Sequence, residues 1–248
     1  MTTSTTRHKA RRRTARKYLP PQHGAWAMLL VPWLTGVLTA GFRWPHLPLL
    51  GAWLSGYLLS YYALQALKTR RLSRVRPQLL LYGPLTAVLA LVVVIARPQV
   101  LFYTCAYAPL LAFNAYYARQ RHERALLNDL TSVLQSCLVV FVAATVAGTG
   151  ISEVGPAFTT VMLYFTGTVL YVKTMIRERG NPSYHRASIA YHVLALGVAS
   201  LLTIPIAAVF LLLLIRATIL PRYRLTPKHV GIAEIIASVL VLLSAVLA

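Results

Sequence analysis

The densest group of residues that could bind a ligand or take part in a reaction consists of basic side chains. Lys173 and Arg177 are four residues apart, so they share one face of a helix and repel each other. A bound phosphate or diphosphate would relieve that repulsion, because arginine offers paired donors to its oxygens. The alternative is ordinary cytoplasmic charge, with Glu178 paired to a neighbouring arginine. On the first interpretation Lys173, Arg177 and the nearby Arg179 are ligand-binding residues.

Three residues are candidate catalytic groups: His192, Glu178 and Asp129. His192 lies about a turn and a half into an apolar segment, where it would act as a general base or pack against a neighbouring helix. Asp129 is the only aspartate and stands near a helix N-terminus, where the helix dipole favours a carboxylate. Asn114 and Asn128 lie close to these positions and are candidate ligand-binding residues.

Two further positions have unusual polar residues. Gln22 and His23 open the first apolar run, and we expect them either to face a cytoplasmic cavity or to lie at the membrane interface. Glu234 lies inside the last apolar run, shortly after His229, and a buried carboxylate there needs a partner or a proton.

These residues are carried by apolar segments of the length that crosses a bilayer. The chain has 248 residues, 57% of them hydrophobic and only 12% charged, which is about half the charge of a soluble domain. Each apolar run has the length of about 20 residues that a membrane helix needs. The runs are 24–41, 47–67, 78–96, 99–118, 126–147, 156–176, 187–203, 205–220 and 229–248. The sequence therefore predicts an all-α, polytopic transmembrane helical bundle of about nine spans.

The distribution of positive charge predicts the topology. With nine spans, all of the 25 Lys and Arg residues except Arg43 and Arg97 fall on one side, and Arg216 is counted there in the loop between the eighth and ninth spans. The positive-inside rule then places the N-terminus in the cytoplasm and the C-terminus outside the cell membrane. Joining the seventh and eighth runs into one helix kinked at Pro205 would spoil this asymmetry. We expect a basic cytoplasmic segment at 1–21 and a transmembrane domain at 22–248.

Composition also narrows the possible chemistry. The basic residues lie between apolar runs, a pattern that indicates membrane topology rather than nucleic-acid binding. One Asp and four Glu are too few for carboxylate-rich Mg²⁺ clusters, so no cofactor and no metal site is predicted. Cys105 and Cys137 lie inside apolar runs and are predicted to be small buried packing residues.

Three segments resemble the YwiC-like family of bacterial membrane proteins. They are Pro21-Gln22-His23-Gly24-Ala25-Trp26-Ala27-Met28, Glu123-Arg124-Ala125-Leu126-Leu127-Asn128-Asp129-Leu130 and Tyr171-Val172-Lys173-Thr174-Met175-Ile176-Arg177-Glu178. The resemblance covers most of the chain and implies a multi-pass membrane protein. It implies no particular activity.

A more distant resemblance is to the UbiA superfamily of intramembrane prenyltransferases. That superfamily has nine helices, with polar active-site loops after helices 2 and 6, and the corresponding loops here are also charge-rich. Where the superfamily has Asp-rich motifs for Mg²⁺ and diphosphate, this chain has cations: first Lys68, Arg70 and Arg71, later Lys173, Arg177 and Arg179. The substitution argues against metal-dependent transfer and leaves direct cationic binding of an isoprenoid or lipid phosphate.

Three functions follow as hypotheses. The first is a UbiA-like protein that binds an isoprenoid or lipid phosphate and that, if it is an enzyme, is a prenyltransferase-like transferase. The second is a small-anion transporter, in which His192 and Glu234 line the path. The third is an assembly or scaffold subunit with a membrane protein partner. In all three, membrane lipids surround the chain.

Overall fold

The structure is a computed structural model that describes residues 18–20 and 23–247. In that part of the chain all regular elements are helical, which confirms the predicted all-α bundle. The helices are α1 (His23–Ala40), α2 (His46–Thr69), α3 (Arg76–Ala96), α4 (Thr104–Arg119), α5 (Leu126–Cys137), α6 (Val139–Ala147), α7 (Gly155–Ile176), α8 (Pro182–Ser200), α9 (Ile204–Ile219) and α10 (Pro227–Val246). Short 3₁₀ turns at Leu72–Arg74, Pro98–Tyr103 and Leu220–Arg222 join some of them.

Five helical segments are long and apolar enough to cross a membrane. They are Arg76–Ala96, Leu126–Ala147, Gly155–Ile176, Ile204–Arg222 and Pro227–Val246. The second of these joins α5 and α6 through Leu138. These segments identify a membrane protein, and each predicted apolar run corresponds to a helix or to this joined pair. The count of nine spans and the orientation of the termini remain predictions.

The seventh and eighth apolar runs form separate helices, as charge counting predicted. α8 ends at Ser200 and α9 begins at Ile204, with Thr203 in an extended conformation between them. Pro205 lies in the first turn of α9, where its missing N–H costs no helical hydrogen bond. The two helices then pack against each other as a hairpin.

The connections that carry most of the described cations lie together at one end of the bundle, here called the basic end. It consists of the links α2–α3, α4–α5, α7–α8 and α9–α10. Lys68, at the end of α2, pairs with Glu123 in the α4–α5 link. Arg179, after α7, donates a hydrogen bond to the carbonyl of Leu225 before α10. One predicted loop cation lies elsewhere, because Arg216 is inside α9 and not in the α9–α10 link.

α1 runs through the core and approaches α6 very closely. A Cβ at Gly36 would lie 2.9 Å from the Cα and carbonyl oxygen of Val140, so only glycine fits there. Pro32 removes the N–H that would bond the Met28 carbonyl. Ser136 of α5 donates to that carbonyl instead, and Trp53 donates to the neighbouring carbonyl of Leu29 at 3.1 Å. Neighbouring helices therefore supply hydrogen bonds to the carbonyl groups at the break in α1, and the bilayer, which has no water to do so, makes such partners necessary.

The cysteines differ in their environment. Cys137 is fully buried in the core, as predicted, whereas Cys105 is exposed. The prediction for Cys105 was wrong because α4 lies at the periphery, packed mainly on α2 and α5. α3 is also peripheral and exposes apolar side chains such as Leu80, Val88 and Ile95, which suit contact with lipid.

Candidate functional site

Helix α7 presents polar side chains on two separate faces. Tyr164, Thr168 and Tyr171 follow the i, i+4, i+7 spacing of one face, and they point towards α9 and α10. Lys173 is two residues beyond Tyr171, so it lies on roughly the opposite face, towards α5. Each face carries its own ion pair.

The first pair joins Lys173 to Asp129 of α5. Their side-chain atoms are 2.7 Å apart, and the Lys173 ammonium also donates to the Arg124 carbonyl at 2.7 Å. Lys173 is buried, whereas Arg177 is exposed at the helix end. The charge that compensates Lys173 is therefore a carboxylate of this chain. Asp129 is in the first turn of its helix, as the sequence predicted.

The α4–α5 link is also tied to α2. Lys68 and Glu123 are 2.6 Å apart, and Asn128 donates to the Glu123 carbonyl at 2.9 Å. Burial disfavours the charged form of Glu123, but hydrogen bonds from Lys68 and the backbone and the charges of Lys68 and Arg124 outweigh it. The pKa of Glu123 is consequently lower than its usual value. Glu123 is therefore ionised at neutral pH and holds the link against α2.

A basic cleft of about 400 Å³ opens beside this contact. Its walls are Lys68, Arg121, His122, Glu123, Arg124 and Ala125. Only one of these side chains is a carboxylate. The cleft can therefore accept a group with more than one negative charge, since arginine and lysine bind phosphate oxygens strongly.

Arg121 adopts a left-handed backbone conformation, with φ of 59°. This conformation is costly for a residue with a Cβ, and such residues concentrate at functional sites. Among the described non-glycine residues only Arg70, at the end of α2, shares it, with φ of 54°. Both arginines are exposed at the basic end, but only Arg121 lines the cleft.

The second ion pair lies inside the apolar segments, between Arg216 of α9 and Glu234 of α10. Thr168 donates to the Glu234 carboxylate at 2.9 Å, and Tyr164 donates to it at 3.3 Å and to the Glu234 carbonyl at 3.1 Å. The Arg216 guanidinium lies over the Tyr171 ring, 4.1 Å from its centroid, where a cation–π contact forms. Charged residues at membrane depth are costly and usually have a function.

Sequence reasoning identified Glu234 but missed its partner. Arg216 was counted among the cations of the loop between the eighth and ninth spans. The available signal was the pattern of α9 itself, in which Arg216 continues the face of Val209 and Leu213 at helical spacing. A cation on an apolar face, together with a lone carboxylate in another apolar run, points to a buried pair.

Polar side chains of the α7–α8 link hold that link to its neighbours. Asn181 caps α8 by accepting from the N–H groups of Ser183 and Tyr184, and it donates to Glu178 at 3.0 Å. Glu178 therefore accepts from an amide, whereas the sequence alternative paired it with an arginine. Arg179 donates to the carbonyls of Met175 and Leu225. Arg179 therefore fastens α7 to the segment before α10.

Two other candidates lie within the bundle, away from the cleft. His192 is buried in α8 and bonds the Ser188 carbonyl at 2.7 Å. Its ring stands against α7, where a Cβ at Gly167 would come within 3.1 Å of Nε2. Asn114 donates to Gln135 at 2.8 Å, which links α4 to α5. The structure does not bring His192, Asn114 and Lys173 together.

Comparison with known proteins identifies the family. The profile of the YwiC-like protein family matches residues 19–144, about half of the chain. An uncharacterised protein of Haemophilus influenzae is 34% identical over 220 residues, which cover 86% of this chain and 90% of the relative. The chain belongs to the YwiC-like family. The uncharacterised protein YwiC of Bacillus subtilis is 36% identical over 177 residues, which cover 71% of this chain and 74% of that protein. No solved structure matches.

The family match covers one part of the site. In this YwiC-like protein it spans α1 to α5 and most of α6, so it includes Lys68, the cleft and Asp129. Lys173, Arg216 and Glu234 lie beyond it. Of the predicted ligand-binding residues at the start of α1, Gln22 lies outside the described residues. His23 is described only as the first residue of the helix.

Proposed function

We propose that this protein binds the phosphate head group of an isoprenoid or another membrane lipid in the basic cleft. The observation that carries the proposal is the lining of the cleft, in which Lys68, Arg121 and Arg124 face one space beside a single carboxylate. Three cations around one carboxylate leave positive charge that a phosphate would neutralise. The apolar chain of the ligand would remain in the adjacent bilayer.

In this proposal Lys173 is a positioning residue. Its ammonium bonds Asp129 and the Arg124 carbonyl. It therefore fixes the position of the α4–α5 link, which carries Arg121 and Arg124. From the sequence, we expected phosphate to bind directly to Lys173 and Arg177. In the structure-based proposal, phosphate binds instead to Arg121, Arg124 and Lys68, which line the cleft.

The positive-inside rule supports placing the basic end, and with it the cleft, in the cytoplasm. Phosphorylated isoprenoids and lipids present their head groups at the membrane surface, at the depth of the α2 and α4 ends. Arginine and lysine neutralise phosphate without a metal ion, so binding in this cleft does not require Mg²⁺.

The test is the thermal stability of the purified full-length protein with farnesyl phosphate, in EDTA and in Mg²⁺. A ligand at a hundred times its dissociation constant stabilises the folded state by about 2.7 kcal/mol, so binding raises the unfolding temperature. We expect a rise that persists in EDTA. Absence of a rise, or a rise that needs Mg²⁺, would contradict the proposal.

The chain offers a matched pair of variants. Arg121→Asn removes a cleft cation, and asparagine tolerates the left-handed conformation. Arg70→Asn makes the same change at the other left-handed arginine, outside the cleft. We expect Arg121→Asn to weaken farnesyl phosphate binding about tenfold or more, as loss of a charged hydrogen bond does. Arg70→Asn should bind as the wild type does, and equal losses in both variants would indicate general surface charge.

A further inference from the structure

The cations of the basic cleft differ in whether the protein itself neutralises them. Lys68 and Glu123 are 2.6 Å apart, so the Lys68 charge is already paired. Arg121 and Arg124 line the same space. In the part of the chain that the structure describes, every ion pair uses a cation other than these two arginines. The guanidinium charges of the cleft therefore have no carboxylate partner there.

The carboxylates near the cleft cancel no more than one of its charges. Glu123 pairs with Lys68 and also lies within the field of Arg124, but one carboxylate offsets one cation, whichever cation it faces. Asp129 is the next carboxylate along the chain, and it bonds the Lys173 ammonium at 2.7 Å. Three cations and one carboxylate line the cleft, so these side chains leave a net charge of +2.

The backbone on one side of the cleft fixes the position of Arg121. The N–H of His122 bonds the Tyr117 carbonyl at 2.9 Å, and the N–H of Arg121 bonds the Ala118 carbonyl at 3.1 Å. These two hydrogen bonds are those of the motif that ends a helix with a left-handed residue, a position where glycine is usual. Arginine occupies that position here, although its Cβ makes the conformation costly. The guanidinium therefore extends from a turn whose backbone is already bonded.

The backbone of Arg124 is fixed from the other direction. Its carbonyl accepts from the Lys173 ammonium at 2.7 Å, and the N–H of Ala125 bonds the His122 carbonyl at 3.0 Å. Both arginines thus start from backbone that is positioned before a ligand arrives. Such preorganisation favours binding, because less conformational entropy is lost when the ligand is bound.

Phosphate groups of membrane lipids occur in two forms that differ in charge. A phosphodiester, the form in ordinary phospholipids, has one negative charge. A terminal phosphate, which is a phosphomonoester, has nearly two negative charges at neutral pH and three strong acceptor oxygens, because its second pKa is about 6. Two arginines can both pair with a phosphomonoester, whereas a phosphodiester would leave one of the two charges without a counterpart.

We infer that the basic cleft selects a lipid with a terminal phosphate, carrying two negative charges, over the phosphodiesters of ordinary phospholipids, and that Arg121 and Arg124 determine this preference. The inference rests on the phosphate binding proposed above and names the class of head group. A site with this preference binds its ligand from a bilayer in which phosphodiesters are in large excess.

The experiment compares two ligands with the same apolar chain, farnesyl phosphate and its methyl ester. Affinities are measured with the full-length protein in uncharged detergent at about pH 8, where the second ionisation of the phosphomonoester is nearly complete. We expect farnesyl phosphate to bind at least about tenfold more tightly, because one further negative charge faces two arginines. Equal affinities would overturn the inference and leave the proposed function standing. Absence of binding by both ligands would contradict the proposed function as well.

Inorganic phosphate distinguishes a lipid head group from a free anion, since it has the charge of the phosphomonoester and no apolar chain. We expect it to compete with labelled farnesyl phosphate at least about tenfold more weakly than unlabelled farnesyl phosphate does, because the apolar chain contributes by partitioning into the micelle. Competition of equal strength would overturn the assignment to a lipid.

A matched pair of variants assigns the preference to the cleft. Arg124→Gln removes one cleft charge and keeps the backbone carbonyl that bonds Lys173. Arg119→Gln makes the same change at an exposed arginine that does not line the cleft. We expect the preference for farnesyl phosphate over its methyl ester to fall to about threefold or less in the first variant and to stay unchanged in the second. The ratio is measured within each protein, so partial unfolding does not alter it, and an unchanged ratio in Arg124→Gln would overturn the inference.

Discussion

The two ion pairs of α7 differ in how completely their polar atoms are used. In the pair towards α5, the Lys173 ammonium bonds both Asp129 and the Arg124 carbonyl. In the pair towards α9 and α10, Glu234 has three donor groups, while two nitrogens of Arg216 have no hydrogen-bond partner. The first pair fastens α7 to α5 and to the α4–α5 link. The second leaves two buried donors of one guanidinium without a hydrogen-bond partner.

The difference indicates how a membrane protein can use costly charges in two ways. A pair whose donors and acceptors meet inside the protein fixes the position of its elements. A pair with donors left over is not fully satisfied by the protein itself, and ionisable residues at membrane depth are candidates for a function. The largest effects of substitution are expected at the more deeply buried pair.

The strongest test is Glu234→Leu. It leaves the Arg216 charge buried without its carboxylate, and loss of one partner of a buried pair costs about 3–5 kcal/mol. The midpoint of thermal unfolding in detergent should fall clearly. The double variant Arg216→Met with Glu234→Leu removes both charges and should recover most of that loss. A single variant as stable as the wild type would show that the pair does not form.

A smaller loss is expected for Asp129→Asn. The amide keeps the shape of the carboxylate, and the Lys173 ammonium retains the Arg124 carbonyl. Asparagine can still accept from Lys173 but lacks the negative charge, so the loss should stay below the roughly 1.5–3 kcal/mol that a charged hydrogen bond contributes. Glu178→Gln is the control, because Glu178 accepts from an amide and the change removes no ion pair that the structure describes. If both variants unfold at the same temperature, the pair contributes no stability.

The smallest effect is expected at the exposed pair of Lys68 and Glu123. Surface pairs contribute about 0–1 kcal/mol, so Lys68→Ala should lower stability only slightly at neutral pH. Folding lowers the pKa of Glu123, so the stabilisation is present above its unfolded value of about 4.3 and is lost as pH falls through the folded-state pKa. Unfolding midpoints of wild type and variant should therefore converge in acid, and a difference that grows in acid would contradict this account.

The sequence predicted the helices well because their signal is local. Apolar runs of membrane length give the position of each helix, and the count of positive charges between the runs correctly separated α8 from α9. The close approach of α1 and α6 at Gly36 was not predictable in this way, since nothing near Gly36 in the sequence identifies Val140 as its neighbour.

The candidate site was predicted only in part. The sequence selected Lys68, Lys173 and Asp129 as polar residues of interest, and these do lie at the basic end or beside it. It did not show that Lys173 and Asp129 neutralise each other, nor that Arg121 lines a cleft. Both facts depend on contacts between segments that are far apart in the chain.

By itself, the sequence determined that the chain is an all-α membrane protein of the YwiC-like family with its positive charge concentrated in particular links. Those properties follow from composition and from the length of apolar runs, which each segment carries alone. Only the tertiary structure decided which charges are neutralised and which remain available. Pairing depends on distances of a few ångströms between helices, and packing sets those distances.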